Sequence, residues 1–187
     1  MPVPTGTLIS QTIGRAGRRK RRRRLVAALI VLVAVLAAAT GRLFIWPAQG
    51  MPARADAIIV IGGPGDRLEK GLQLQSQHRA PVLAISKGMW FPLAVCLTPR
   101  VICFQPEPAT TQGEAEFAGR LAKKYHWRSV VLVTTPDQDT RARLRFGRCF
   151  NGSVYVVTTA LPAWLWPYEI AYQFAATVKA EVWQRSC

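Results

Sequence analysis

Asp56-Ala57-Ile58-Ile59-Val60-Ile61-Gly62-Gly63-Pro64-Gly65 is the stretch that decides how this chain folds. It is a continuous, β-branched apolar run that ends in a glycine-rich turn. Such a run suits a strand buried on both faces, as in a parallel sheet, whereas a half-wet strand would alternate apolar and polar residues. Asp66 to His78 then has helical spacing, with Leu68, Leu72 and Leu74 facing inward. Asp66 is the expected N-cap, and Glu69 three residues later completes a capping box.

The alternation continues downstream. Pro81 to Ser86 predicts a second strand, stopped by Lys87-Gly88, and Met89 to Arg100 is too irregular for a full crossover helix. Val101 to Phe104 predicts a third strand. Thr111 as N-cap with Glu114 in a second capping box opens a helix carrying Ala115, Ala118, Leu121 and Ala122 to about Tyr125. Ser129 to Thr134, Asp137 to Phe146, Ser153 to Thr158 and Trp164 to Gln184 follow as strand, helix, strand and terminal helix. Strands alternating with helices imply βαβ units. The expected fold is α/β: a Rossmann-like three-layer α/β/α domain over 56–187 with a mainly parallel five-stranded sheet.

Upstream the composition changes. The whole chain of 187 residues has 25 Lys and Arg, 10 Asp and Glu, and a net charge of +15. Eight of those cations lie between Arg15 and Arg24, so Leu25 onward carries only +7. That balance attracts anions but is far from the charge of a nucleic-acid packaging protein, and no nucleic-acid partner is expected. Leu25 to Thr40 is sixteen uncharged residues rich in Leu, Val and Ala, extended by Leu43-Phe44-Ile45-Trp46. A helix over 25–46 is roughly 33 Å long, the thickness of a bilayer core. Arg42 near its end can snorkel to the headgroups, Trp46 suits the interface and Pro47 stops the helix. The expected organisation is a basic cytoplasmic segment over 1–24, a single transmembrane helix over 25–46, a linker over 47–55 and an extracytoplasmic domain. A cleaved signal peptide, with Ala37-Ala38-Ala39 as the processing site, is the competing reading, and it exports the domain equally.

Cysteine placement agrees with export. Cys96, Cys103, Cys149 and Cys187 all follow the apolar block and form no C-x-x-C pair, which argues against a zinc ribbon or thioredoxin motif. Cys96 with Cys103 and Cys149 with Cys187 is the favoured pairing among three connectivities, with four buried free thiols as the alternative.

In an open parallel sheet, ligands bind beyond the carboxyl ends of the strands. That rule gathers Gly62, Gly63 and Arg67 after the first strand and Ser86 and Gly88 after the second. Glu107, Thr111 and Glu114 follow the third, and Thr134, Thr135, Gln138 and Arg141 the fourth. The glycines allow close backbone approach to a ligand. Arg67 and Arg141 lie early in helices, where a cation gains nothing from the macrodipole and makes sense if it reaches an anion; the alternatives are a solvated Arg67 and a local Asp137–Asp139–Arg141 ion-pair group. Thr111 and Glu114 are already accounted for as caps. No G-x-G-x-x-G, Walker A, G-x-S-x-G or H-E-x-x-H motif occurs, no metal site is expected, and no residue demands a particular cofactor. His78 and His126 fall at the far ends of their helices.

Residues 56–71 (DAIIVIGGPGDRLEKG), Ser86-Lys87-Gly88, Glu107–Glu114 (EPATTQGE) and Val133–Ala142 (VTTPDQDTRA) resemble, in order, the DUF218 or YdcF-like family, which includes SanA- and ElyC-type envelope proteins. The resemblance covers roughly 56–158 and implies a Rossmann-like fold, often with one N-terminal anchor. It also implies a role in envelope integrity and wall-precursor or lipid-carrier metabolism, and it singles out Gly62, Gly63, Arg67, Thr111, Glu114, Thr134 and Arg141. Two departures stand out. Gln138 replaces the family's usual histidine, and the second crossover is short. Glutamine binds but cannot shuttle protons near neutral pH.

The leading functional expectation is therefore a bacterial cell-membrane protein that binds a phosphorylated or anionic small molecule or lipid-linked phosphate. The alternatives are a transferase or hydrolase using Glu107 or Glu114 as base on a polyprenyl-phosphate or nucleotide-type substrate, and a non-catalytic docking module presenting Trp164, Trp166 and Trp183.

Overall fold

The computed structural model describes residues 7–87 and 93–187. The chain divides into two compact units, Met1–Gly41 and Arg42–Cys187. The first is helix α1 (Thr7–Thr40), which passes into a π-helical turn, Gly41–Ile45. The basic run lies inside this helix, in keeping with the good helix propensity of Arg and Lys. Arg18–Ile45 is long and apolar enough to cross a membrane by length and composition.

The second unit is a five-stranded sheet with helices on both sides. Its elements are β1 (Ala57–Val60), α2 (Arg67–Ser76), β2 (Val82–Ser86), β3 (Val101–Phe104), α3 (Thr111–Tyr125), β4 (Ser129–Thr134), α4 (Pro136–Cys149), β5 (Ser153–Thr158) and α5 (Trp166–Val182). The order β3-β2-β1-β4-β5 is parallel throughout, and central Ile59 sits between Ala84 and Leu132. Because side chains alternate along a strand, each apolar run feeds two cores. Ala57, Ile59, Leu132 and Val156 pack with Ala115, Ala118, Phe146 and Phe150 on the α3–α4 face. Ile58, Val60, Leu83 and Val131 pack with Leu74 of α2 on the other. Helix α5 packs against α4.

Helix capping differs from the expected pattern more than helix position does. Asp66 precedes α2 but its side chain makes no cap bond, since its backbone (φ −83°, ψ 45°) lacks the extended geometry of a cap. Thr110, extended at φ −145°, caps α3 in place of Thr111 and accepts from the Gly113 amide at 3.4 Å. Pro136 opens α4, where its missing N–H is no loss. Between β2 and β3 the described residues hold only a short 3₁₀ turn, Leu93–Leu97.

The segment 47–55 is docked along the unit. Gly50 pairs with Val156 of edge strand β5, Gln49 Oε1 accepts from the Thr158 amide at 3.3 Å, and Arg143 donates to the Ala48 carbonyl at 2.8 Å. An extended segment carries backbone groups that need partners, and an open sheet edge supplies them.

Both disulfides follow the favoured pairing. Cys96–Cys103 ties the 3₁₀ turn to β3, and Cys149–Cys187, separated by 38 residues, staples the C-terminus to α4. Chain entropy alone assigns the longer loop about 4 kcal/mol. Replacing Cys149 and Cys187 by serine is expected to lower unfolding free energy by about 2–4 kcal/mol in denaturant titrations of the full chain. An unchanged midpoint would count against a structural role.

Candidate functional site

Strand order reverses between β1 and β4, which are neighbours although their connections leave for opposite faces. Such switch points open a crevice at the carboxyl edge of the sheet. Here the crevice is a cleft of about 220 Å³ lined by Gly62, Gly63, Arg67, Thr111, Glu114, Gln138, Arg141, Glu169, Tyr172 and Gln173, among others.

Arg67 forms its floor. At 1% exposure it is neither solvated nor reaching outward, and its N–H groups go to protein acceptors. Nε donates to the Pro64 carbonyl at 2.7 Å. Nη1 donates to the Gly62 carbonyl at 2.7 Å, Gln138 Oε1 at 2.6 Å and the Ile61 carbonyl at 3.3 Å, and Nη2 to Thr135 Oγ1 at 2.7 Å. The guanidinium therefore replaces the anion-facing role expected from the sequence with a structural one. Gly63 makes this geometry possible, since its φ is +137° and a Cβ there would lie 2.7 Å from the guanidinium nitrogens. Burial brings the Arg67 pKa down to about 10, against the opposing fields of Asp137, Glu114 and Glu169.

Gln138 joins three elements. Its Oε1 also accepts from Thr134 Oγ1 at 3.0 Å, and its Nε2 donates to Thr111 Oγ1 at 2.9 Å. Thr134 and Thr135 are fully buried beneath the cleft. Glu114 does not close a capping box. It points at the loop after β1, where Oε1 accepts from the Gly62 amide at 2.7 Å, and a Ser86 bond also reaches it. Burial pushes the Glu114 pKa up, and the Ser86 and Gly62 bonds only partly oppose this. The first turn of α3 packs tightly on the preceding segment at Gly113, where a Cβ would collide with the Pro108 carbonyl.

Arg141 stands apart. Its Nε is buried without a hydrogen-bond partner among the described residues, and its guanidinium lies 5.3 Å from the Tyr172 ring centre. It does not join the local ion pair, because Asp139 binds Arg143 at 2.9 Å instead.

Sequence reasoning missed the contribution of α5. Gln173 Nε2 reaches both Asp137 Oδ2 and Glu169 Oε2, each at 3.2 Å. Burial raises the Glu169 pKa against the Gln173 bond, and the neighbouring Asp137 carboxylate pushes it the same way as burial. Asp137 Oδ1 and Gln173 Oε1 are buried without hydrogen-bond partners among the described residues. The signal was present. Glu169 and Gln173 lie four residues apart, and so on one face, in a helix otherwise rich in aromatic and small residues.

Of the remaining expectations, Glu107 is exposed and outside the cleft lining, and Gly88 lies outside the described residues. His78 and His126 are exposed. Trp164 and Trp183 are 79% and 75% exposed, so their rings are available as a contact surface, whereas Trp166 is half-buried.

The arrangement offers one unpaired cation, Arg141, beside carboxyl groups whose burial favours the protonated form. It can hold an anionic group while giving or accepting hydrogen bonds around it. Compared with protein-family models, curated proteins and solved structures, the chain matches none.

Glu114 supplies a pH test. Its folded pKa lies above the ordinary 4.5, so its protonated form stabilises the fold fully below about 4.5, and that contribution fades as pH rises through the folded value. Glu114→Gln, which fixes a neutral side chain, is expected to lose less stability than wild type between pH 4 and 8 in denaturant titrations. Parallel pH profiles would refute it.

Proposed function

We propose that the protein is a membrane-anchored, extracytoplasmic binding protein of the bacterial envelope, and that its cleft takes the phosphorylated head group of a small or lipid-linked ligand. The observation that carries this reading is Arg141. A buried donor left without a partner costs about 1–3 kcal/mol, and an anion in the cleft would remove that cost. The β1–β4 switch point supports it as the place where such folds bind ligands. Export is supported by the apolar helix behind a basic run and by two disulfides, which persist in oxidising compartments. The resemblance to DUF218-like envelope proteins points the same way.

A second reading, transfer or hydrolysis of such a phosphate, draws on Glu114 and Glu169, two cleft carboxyl groups with raised pKa values suited to general acid–base work. Gln138 sits where the family carries histidine and is fully occupied by Arg67, Thr134 and Thr111, which favours binding over turnover.

Titration of the full chain in detergent with a short-chain polyprenyl phosphate tests the first reading. Binding that weakens at least about tenfold in Arg141→Ala is expected, a loss of about 1.4 kcal/mol. No saturable binding by a folded wild type would exclude it. Release of inorganic phosphate, or transfer to an acceptor, that is lost in Glu169→Gln while binding persists would establish the enzymatic reading instead.

A further inference from the structure

Helix α4 carries four arginines, and they divide by surroundings. Arg143 pairs with Asp139, and Arg148 pairs with Glu181 at 2.8 Å. Arg141 and Arg145 have no carboxylate partner among the described residues, and both line a second cavity of about 280 Å³ beside the cleft. Lys179 of α5 lines it too, with no ion pair among the described residues, as do Thr110, Thr111 and Gln112 at the first turn of α3. No Asp or Glu is among its lining residues. The cleft differs, since Glu114 and Glu169 share its wall with the arginines. The two spaces adjoin, because Thr110, Thr111, Arg141 and Tyr172 line both.

Three cations facing one small space repel one another, and the carboxyl groups that act on two of them, Glu114 on Arg141 and Glu116 on Arg145, lie outside its lining. Burial lowers the Arg145 pKa first, and the charges of Arg148 and Arg141 add to the effect against the opposing field of Glu116. Its guanidinium is kept in place by the Gln184 carbonyl and Oε1, at 2.5 and 2.6 Å, which are neutral acceptors.

We propose that this cavity is a second anion subsite continuous with the cleft, so that the ligand carries two adjacent anionic groups and belongs to the diphosphate class rather than the monophosphates. The inference rests on the binding function proposed above and deepens it. Arg141, shared by both spaces, bridges the two groups. Arg145 and the mobile ammonium of Lys179 hold the outer one, while Glu114 and Glu169 face the inner one and the atoms esterified to it.

The test uses the full chain in detergent, titrated calorimetrically at fixed ionic strength with inorganic pyrophosphate and, separately, inorganic phosphate. Pyrophosphate is expected to bind at least about tenfold more tightly. Lys179→Met is expected to erase most of that preference while leaving phosphate affinity within about twofold, whereas Arg141→Ala weakens both. Because Lys179 is exposed, its variant should keep the wild-type unfolding midpoint, and Lys179→Arg should restore the preference. Equal affinities, or a Lys179→Met effect of the same size on both anions, would overturn the second subsite and leave the single-phosphate reading standing. Binding of neither anion by folded protein would overturn both.

Discussion

The buried guanidinium of Arg67 is the constraint on which the site depends. Its donors hold the carbonyls of Ile61, Gly62 and Pro64, which follow β1, and Thr135 and Gln138, which follow β4. Those two connections diverge to opposite faces of the sheet, and without a bridge the crevice between them would be free to widen. A planar, multiply donating cation can satisfy acceptors on both sides at once, which a lysine could not. Desolvation makes such a residue costly, and three carboxyl groups nearby, Asp137, Glu114 and Glu169, offset part of that cost through their fields. The carboxyl groups of the cleft wall and the cation beneath it are therefore parts of one electrostatic arrangement.

This division of labour clarifies the cleft. Arg67, Gln138, Thr134 and Thr135 are occupied with one another, so they set its shape. Among the described residues that line or adjoin the cleft, Arg141, Asp137 and Gln173 keep buried atoms with unused bonding capacity, all at the α4–α5 side. The unused bonding capacity thus lies away from the glycine-rich turn, towards the terminal helix.

Much of the fold was legible because parallel sheets leave a direct mark. Runs such as Ala57–Val60 and Ser129–Thr134 must be apolar on both faces, and punctuation by Gly62–Gly65 and Lys87-Gly88 marks their ends. Cysteine pairing was legible from chain order and loop size. The docked segment before β1 was not, since pairing of Gly50 with Val156 is a long-range choice with no local pattern. Cap positions slipped by one residue because Thr110 and Thr111 are chemically equivalent, and only the backbone angle distinguishes them. Gly62, Gly63, Arg67, Thr111, Glu114, Gln138 and Arg141 line one cleft at the strand ends, whereas Glu107 does not, and the part each side chain plays did not follow from its position. Whether an arginine at the start of a helix turns inward depends on the space left by Gly63 and on acceptors more than sixty residues away. Glu169 and Gln173 were hidden by their helix, whose Trp and Tyr content drew the reading towards its outer face.

The C-terminal disulfide has a further consequence. Gln184, which fastens Arg145 and accepts from Arg148 as well, lies three residues before Cys187, and Cys187 is joined to the end of α4. One wall of the basic cavity is therefore made by a tail whose position is set by oxidation. Without that bond the last residues are held by α5 and by the Arg145 and Arg148 hydrogen bonds to Gln184, with no covalent tie to α4. Completion of the cavity is in this way coupled to the chemistry of the surroundings in which the domain matures.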